Sequence, residues 1–261
     1  MLLYIMEQQK ITYELPLTEL IRLSLRLENL FSRLDIILTC DPEKQTQTLI
    51  ALLIDILNVL DRPDLKSKFG KEFYRLITVF EKLEGDSNAN QDALTETLDQ
   101  LKLLTKYFIN VPGKIAQSLR NNELIAIIQQ NFLKLGGSSI FDAPLYFYWL
   151  EQPWEIREKQ IDHWLLAFTE IREATELLLK IVRHSSEPRP VSATRGFYHE
   201  TLDPHAACQL IRVTLPKNTK IYPEISAGKH GVSLRLMKHA TKDKPVQSEK
   251  NISFTLTTCT I

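Results

Sequence analysis

Apolar residues recur every third or fourth position from Leu20 to Val182, then at every second position in most apolar runs beyond Cys208. The first spacing lines one face of a helix and the second lines one face of a strand. The chain therefore reads as α+β: a mainly helical N-terminal domain followed by a small antiparallel β-domain. The pattern divides it at residues 1–185 and 186–261.

The helical part opens with an exception. Residues 10–15, KITYEL, form a short strand stopped by Pro16, with Ile11 and Tyr13 on one face. A strand alone ahead of helices must pair elsewhere, and the C-terminal sheet is the available partner. Leu20, Leu23, Leu27, Leu30, Leu34 and Ile37 then follow heptad spacing, which fits either a buried core helix or a seam shared by two copies. Asp41-Pro42-Glu43 predicts a helix start, and the stripe Leu49, Leu52, Leu53, Ile56, Leu57 and Leu60 follows it. Further helices are predicted after Pro63, with Gly85 as a terminator, across 94–108, over 114–135, after Asp142-Ala143-Pro144, after Pro153 and over 171–182. Tyr146, Phe147, Tyr148 and Trp149 point all round their helix, which predicts a piece wedged between neighbours.

Residues 185–196, SSEPRPVSATRG, carry two prolines and small polar residues, the composition of a linker. Strands are predicted at 195–198, 208–215, 220–225, 232–237 and 252–258. In the fourth, Val232, Leu234 and Leu236 share one face, and Ser233, Arg235 and Met237 share the other.

Charge changes this picture locally. The 261 residues hold 32 Lys and Arg against 32 Asp and Glu, so the chain is neutral and no general polyanion binder is indicated. Within 209–244, however, eight cations face two acids, a local charge of +6, so the rest sums to −6. Three scattered cysteines suggest buried free thiols of a reducing compartment, not a disulfide frame. The first residues have no signal-peptide character, and no window is apolar enough to span a membrane. The cytoplasm is the expected location.

Candidate chemistry is sparse. His205 and Cys208 have half a metal site's spacing without a second pair. The glycines of 136–141, GGSSIF, follow a helix and do not flank a nucleophile. No Walker lysine or dinucleotide fingerprint occurs. No catalytic residue, metal ligand or cofactor is expected, and a hydrolase using His205, Cys208 or the Gly136 turn stays only as a residual reading. Gly228 and Gly231 predict a hairpin turn that brings Lys229, His230 and Arg235 close together. Such a basic element suits an acidic peptide or nucleic acid. Tyr222 is the only aromatic in 209–244, whereas nucleic-acid readers interleave aromatics with cations, so a peptide is favoured.

ITYELPL at 11–17, DRPDLK at 61–66, GGSSIFDAPLYFYWL at 136–150, QLIRVTL at 209–215 and YPEISAGKH at 222–230 together resemble the ZapD family of Z-ring-associated cell division proteins. The ordered set covers nearly the whole chain. The resemblance implies a homodimer that binds the C-terminal tail of the tubulin-like GTPase FtsZ at the midcell ring. It implies crosslinking and bundling of FtsZ protofilaments and no catalytic activity. Carried over by position, the family's basic pocket uses Arg62 and Arg235, and Lys229 and His230 match its basic turn. The family tends to have Arg where this chain has Gly231, so one charge is missing or is supplied by Lys238. The GGSSIFD segment also departs from the family's commoner Pro-Gly-Gly turn.

Overall fold

A computed structural model describes residues 10–86, 90–132, 140–203, 205–228, 230–238 and 244–261. Its described helices precede a run of antiparallel strands, an α+β arrangement. Two compact units are formed, 23–177 on one hand and 1–22 with 178–261 on the other.

In the helical unit, α1 (Glu19–Cys40), which begins before the unit boundary, buries the heptad seam inside the chain: Leu23, Leu27 and Leu34 are fully covered, and Leu30 and Ile37 nearly so. The seam is core of this chain, not an apolar stripe left open for a second copy. Helix α2 (Thr46–Val59) buries Leu49, Leu52, Leu53, Ile56 and Leu57. It starts later than expected, because Asp41 caps a preceding turn instead, with Oδ1 accepting from the Lys44 N–H at 3.3 Å. Helices α3 (Leu65–Glu81) and α4 (Gln91–Asn110) pack through Phe69 and Phe108, whose rings stack 5.1 Å apart.

The single helix expected over 114–135 is two pieces, α5 (Gln117–Arg120) and α6 (Glu123–Phe132). Asn122 makes the break: its side-chain oxygen accepts from the Ile125 N–H at 3.1 Å and caps α6. The Gly136-Gly137 turn lies outside the described residues. Helix α7 (Pro144–Leu150) is not wedged on all sides, since Trp149 is 4% exposed and Tyr148 67%. Helices α8 (Trp154–Leu165) and α9 (Thr169–Arg183) follow, the last residues of α9 belonging to the other unit.

That second unit contains two sheets. One has the order β1-β4-β8-β2, from Lys10–Pro16, Cys208–Pro216, Ile252–Thr260 and Arg189–Ala193. The other is β3-β6-β5, from Phe197–Thr201, Gly231–Lys238 and Ile221–Gly228, with the short β7 (Val246–Gln247) also paired to β6. The N-terminal strand does join the C-terminal sheet, running antiparallel to β4 with Ile11 opposite Leu215 and Tyr13 opposite Val213. Ile211, Val213 and Leu215 of β4, Phe254 and Leu256 of β8, and Val232, Leu234 and Leu236 of β6 form a common core.

The stretch expected to be a linker is built into this unit. Strand β2 pairs with β8, and Arg195 and Gly196 turn the chain into β3. Both turn residues have positive φ, 49° and 68°, as the favoured two-residue hairpin turn requires. A Cβ at Gly196 would lie 2.3 Å from the Ser248 carbonyl oxygen, so glycine is obligatory there.

Candidate functional site

The basic candidates other than Arg62 belong to the β5–β6 hairpin. Gly228 registers with Gly231, which closes the strands with a two-residue turn. Lys229, one of those two, lies outside the described residues. His230 is exposed, and its carbonyl accepts from the Leu202 N–H at 3.1 Å. From the turn, β6 alternates as the sequence implies: Val232, Leu234 and Leu236 are fully buried, and Arg235 points to the exposed side.

Register decides what surrounds Arg235. Phe197 of β3 lies opposite it on one side and Glu224 of β5 on the other. Two residues along, Ser233 faces His199 and Ser226. Phe197 is 45% exposed. Among the described residues Arg235 makes no ion pair, Glu224 included. Phe197 and His199 escaped the sequence reading because they precede the basic stretch. No apolar alternation in 197–201, FYHET, marked them in advance; the exposure that Phe197 shares with His199 and Thr201 is seen only in the structure.

Lys238 does not stand beside Arg235. Lys238 ends β6, opposite Ile221, and follows the core-facing set of positions, not the Arg235 set. It stands eight residues from His230, which is roughly 26 Å at about 3.3 Å per strand residue. Exposed Lys217 and Lys220 are at the Lys238 end, in the connection leading into Ile221. The hairpin thus spreads its basic residues along its length: His230 at the turn, Arg235 on the outer face, Lys238 at the far end. Arg62 belongs to the helical unit, half-buried in the turn between α2 and α3, with its carbonyl accepting from Leu65 N–H at 3.3 Å.

One cation of the basic stretch is structural. Arg212 donates Nε to Glu14 Oε1 at 2.9 Å, and Arg183 donates Nη2 to Glu14 Oε2 at 2.7 Å and Nε to Oε1 at 2.9 Å. Burial pushes the Glu14 carboxyl upward, but the hydrogen bonds and charges of Arg183 and Arg212 together outweigh it and hold the group below its ordinary range. The cluster ties β1 and the end of α9 to β4. Its charge is not available to a ligand.

Cys40 is exposed, against the expectation of buried thiols, whereas Cys208 is half-buried, Cys259 is buried, and neither of these two fits a nucleophilic role. Burial raises Cys208, which donates weakly to the Leu210 carbonyl at 3.7 Å, and pushes Cys259 up to about 11. Both are therefore protonated at neutral pH. Among the described residues, no three His, Cys, Asp or Glu side chains are placed to hold a metal ion. No helix of the described residues is long and apolar enough to cross a membrane.

Fold and surface define an α+β protein that presents an arginine with no ion pair among the described residues, beside an exposed phenylalanine on a β-sheet face. The ZapD family profile, described as a cell division protein, matches residues 25–235. Similar proteins include the cell division protein ZapD of Nitrosomonas europaea, 32% identical over 251 residues covering 96% of this chain and 95% of that protein. The ZapD of Methylococcus capsulatus is 32% identical, covering 97% and 99%, and that of Coxiella burnetii 32%, covering 96% and 98%. The chain belongs to the ZapD family, and its role is in cell division.

Proposed function

We propose that the chain binds the C-terminal tail of FtsZ through Arg235 and the neighbouring basic turn of Lys229 and His230. Arg62 and Lys238 are assigned to the same role as further cations. As a homodimer it ties two protofilaments together, bundling them and promoting Z-ring assembly at midcell in the cytoplasm. It performs no catalysis and takes no cofactor or metal. The observation that carries the reading is the exposed Arg235 without an ion pair among the described residues, in a family of cell division proteins. A solvated ion pair contributes only about 0–1 kcal/mol, so a single site should bind at millimolar to micromolar strength. Two linked sites then multiply the effect by avidity.

Co-sedimentation with FtsZ polymers tests this. Arg235→Glu combined with Lys229→Glu should abolish pelleting with FtsZ and leave the dimer intact by sedimentation velocity. Polymers lacking the tail should no longer pellet the wild type, and rising salt should weaken binding. Undiminished bundling by the double variant would remove the assigned residues.

Phe197 opposite Arg235 favours a second reading, a nucleic-acid contact by stacking beside a cation. Glu224 on the other flank opposes it, since a phosphate there would meet a carboxylate. Absence of a gel shift near physiological salt eliminates this alternative.

A further inference from the structure

The helical unit has a groove between α3 and α4 that none of the hairpin candidates lines. It encloses about 550 Å3, in the range of ligand pockets. Its apolar lining is Pro63, Gly70, Tyr74, Phe108 and Ile109. Tyr74 and Ile109 are 69% and 72% exposed, unusual for large apolar side chains so close together. The charged residues of the lining are Lys66 and Lys71, and no carboxylate lines it.

Two further observations point to a ligand. Gly70 is an unfavourable residue inside a helix, and helix packing does not demand it. A Cβ there would meet only Phe108 Cβ, at 4.0 Å, an ordinary contact. What the glycine does create is a notch beside Phe108. Among the described residues no carboxylate pairs with either lysine, although Lys66 is held at the C-terminal end of α4. Lys66 Nζ donates to the neutral carbonyls of Val111 at 2.5 Å and Gly113 at 2.9 Å, and Lys71 makes no ion pair among the described residues. The nearby acids are already engaged, Asp61 by Lys114 at 2.5 Å and Asp64 by Lys68 at 2.7 Å.

The geometry points to a docking site for an acidic peptide that inserts one large apolar side chain over Gly70 while its carboxylates meet Lys66 and Lys71. This rests on the acidic-peptide reading above and adds to it a second, apolar contact on the helical unit. The apolar anchor supplies affinity that salt does not screen, and the two lysines select an acidic chain.

The test uses the full chain and two short labelled peptides of Asp, Glu and Ser, one with a central Leu and one with Ser in its place. Fluorescence anisotropy should show the Leu peptide bound about tenfold more tightly or better. Gly70→Leu, which fills the notch, and Ile109→Ser, at an exposed position, should each erase that preference without shifting thermal unfolding downward by more than a few degrees. Lys71→Glu should weaken both peptides alike and flatten their salt dependence. Equal binding of the two peptides, or a preference that survives Gly70→Leu, overturns the groove. If the peptides bind equally and Arg235→Glu abolishes binding, the groove falls and the hairpin reading stands. If neither peptide binds the wild type while FtsZ polymers still pellet it in an Arg235-dependent way, the groove falls and the hairpin reading stands. If Gly70→Leu splits a dimer into monomers, the groove is an interface between copies and the proposal is refuted.

Discussion

Glu14→Gln is the most informative single change in the β-unit. The substitution keeps the side chain's size and one acceptor oxygen. It removes the charge that two guanidinium groups share within 2.7 to 2.9 Å. The three side chains are 16%, 22% and 27% exposed, so water replaces the lost partner only in part. A hydrogen bond to a charged group contributes about 1.5–3 kcal/mol, and breaking a fully buried ion pair costs about 3–5 kcal/mol. Allowing for partial exposure, the loss should be about 2–4 kcal/mol. At about 2–4 °C per kcal/mol for a chain of this size, the melting temperature of the β-unit should fall by roughly 5–15 °C in calorimetry.

The pH dependence gives a separate check. The folded carboxyl titrates below its ordinary value of 4.5. An acid with a depressed folded pKa contributes stability above the unfolded pKa and loses it as pH falls through the folded one. The gap between wild type and Glu14→Gln should therefore be constant above about pH 5 and close on further acidification. Stability within about 0.5 kcal/mol of wild type at pH 7, the spread of ordinary surface substitutions, would refute the argument, as would a gap that widens in acid. Replacing all three residues by apolar side chains of similar size should recover much of the loss, because no buried charge is then left unpaired.

Two glycines give further tests. A Cβ at Gly231 would stand 2.9 Å from the Glu200 carbonyl oxygen and 3.3 Å from the His199 ring, so Gly231→Arg should destabilise the β-unit by about 1–3 kcal/mol in chemical denaturation. An unchanged midpoint would show that β3 yields freely and that an arginine is tolerated at this position. Gly196→Ala combines positive φ with a 2.3 Å approach to Ser248. It should cost more than about 2 kcal/mol, read as early unfolding of the β-unit by near-ultraviolet circular dichroism, and a wild-type transition would contradict the turn geometry.

The helical spacing of Leu23 to Ile37 and the alternation of Val232 to Met237 were legible because both depend on local backbone period, which the side-chain order encodes directly. Turn chemistry was partly legible. Gly228 and Gly231 marked the hairpin correctly, but the prolines and small residues of 185–196 concealed β2, whose edge position tolerates Pro190. The break at Asn122 was missed because apolar spacing continues across it, and only a side-chain cap distinguishes two helices from one.

By itself, the sequence determined the α+β class, the exposed side of β6 on which Arg235 lies, and the need for the 10–15 strand to find a partner. Only the tertiary structure decided which partner that was, that Arg212 is taken up by Glu14, which it shares with Arg183, and that Phe197 and Glu224 flank Arg235. It also spent the heptad seam inside the chain and opened a notch at Gly70. The physical reason is separation along the chain. Periodicity fixes where a side chain points relative to its neighbours within a few residues. Ion pairs, register and grooves join residues tens or hundreds of positions apart, and no local pattern specifies which of several equivalent cations will meet a given carboxylate.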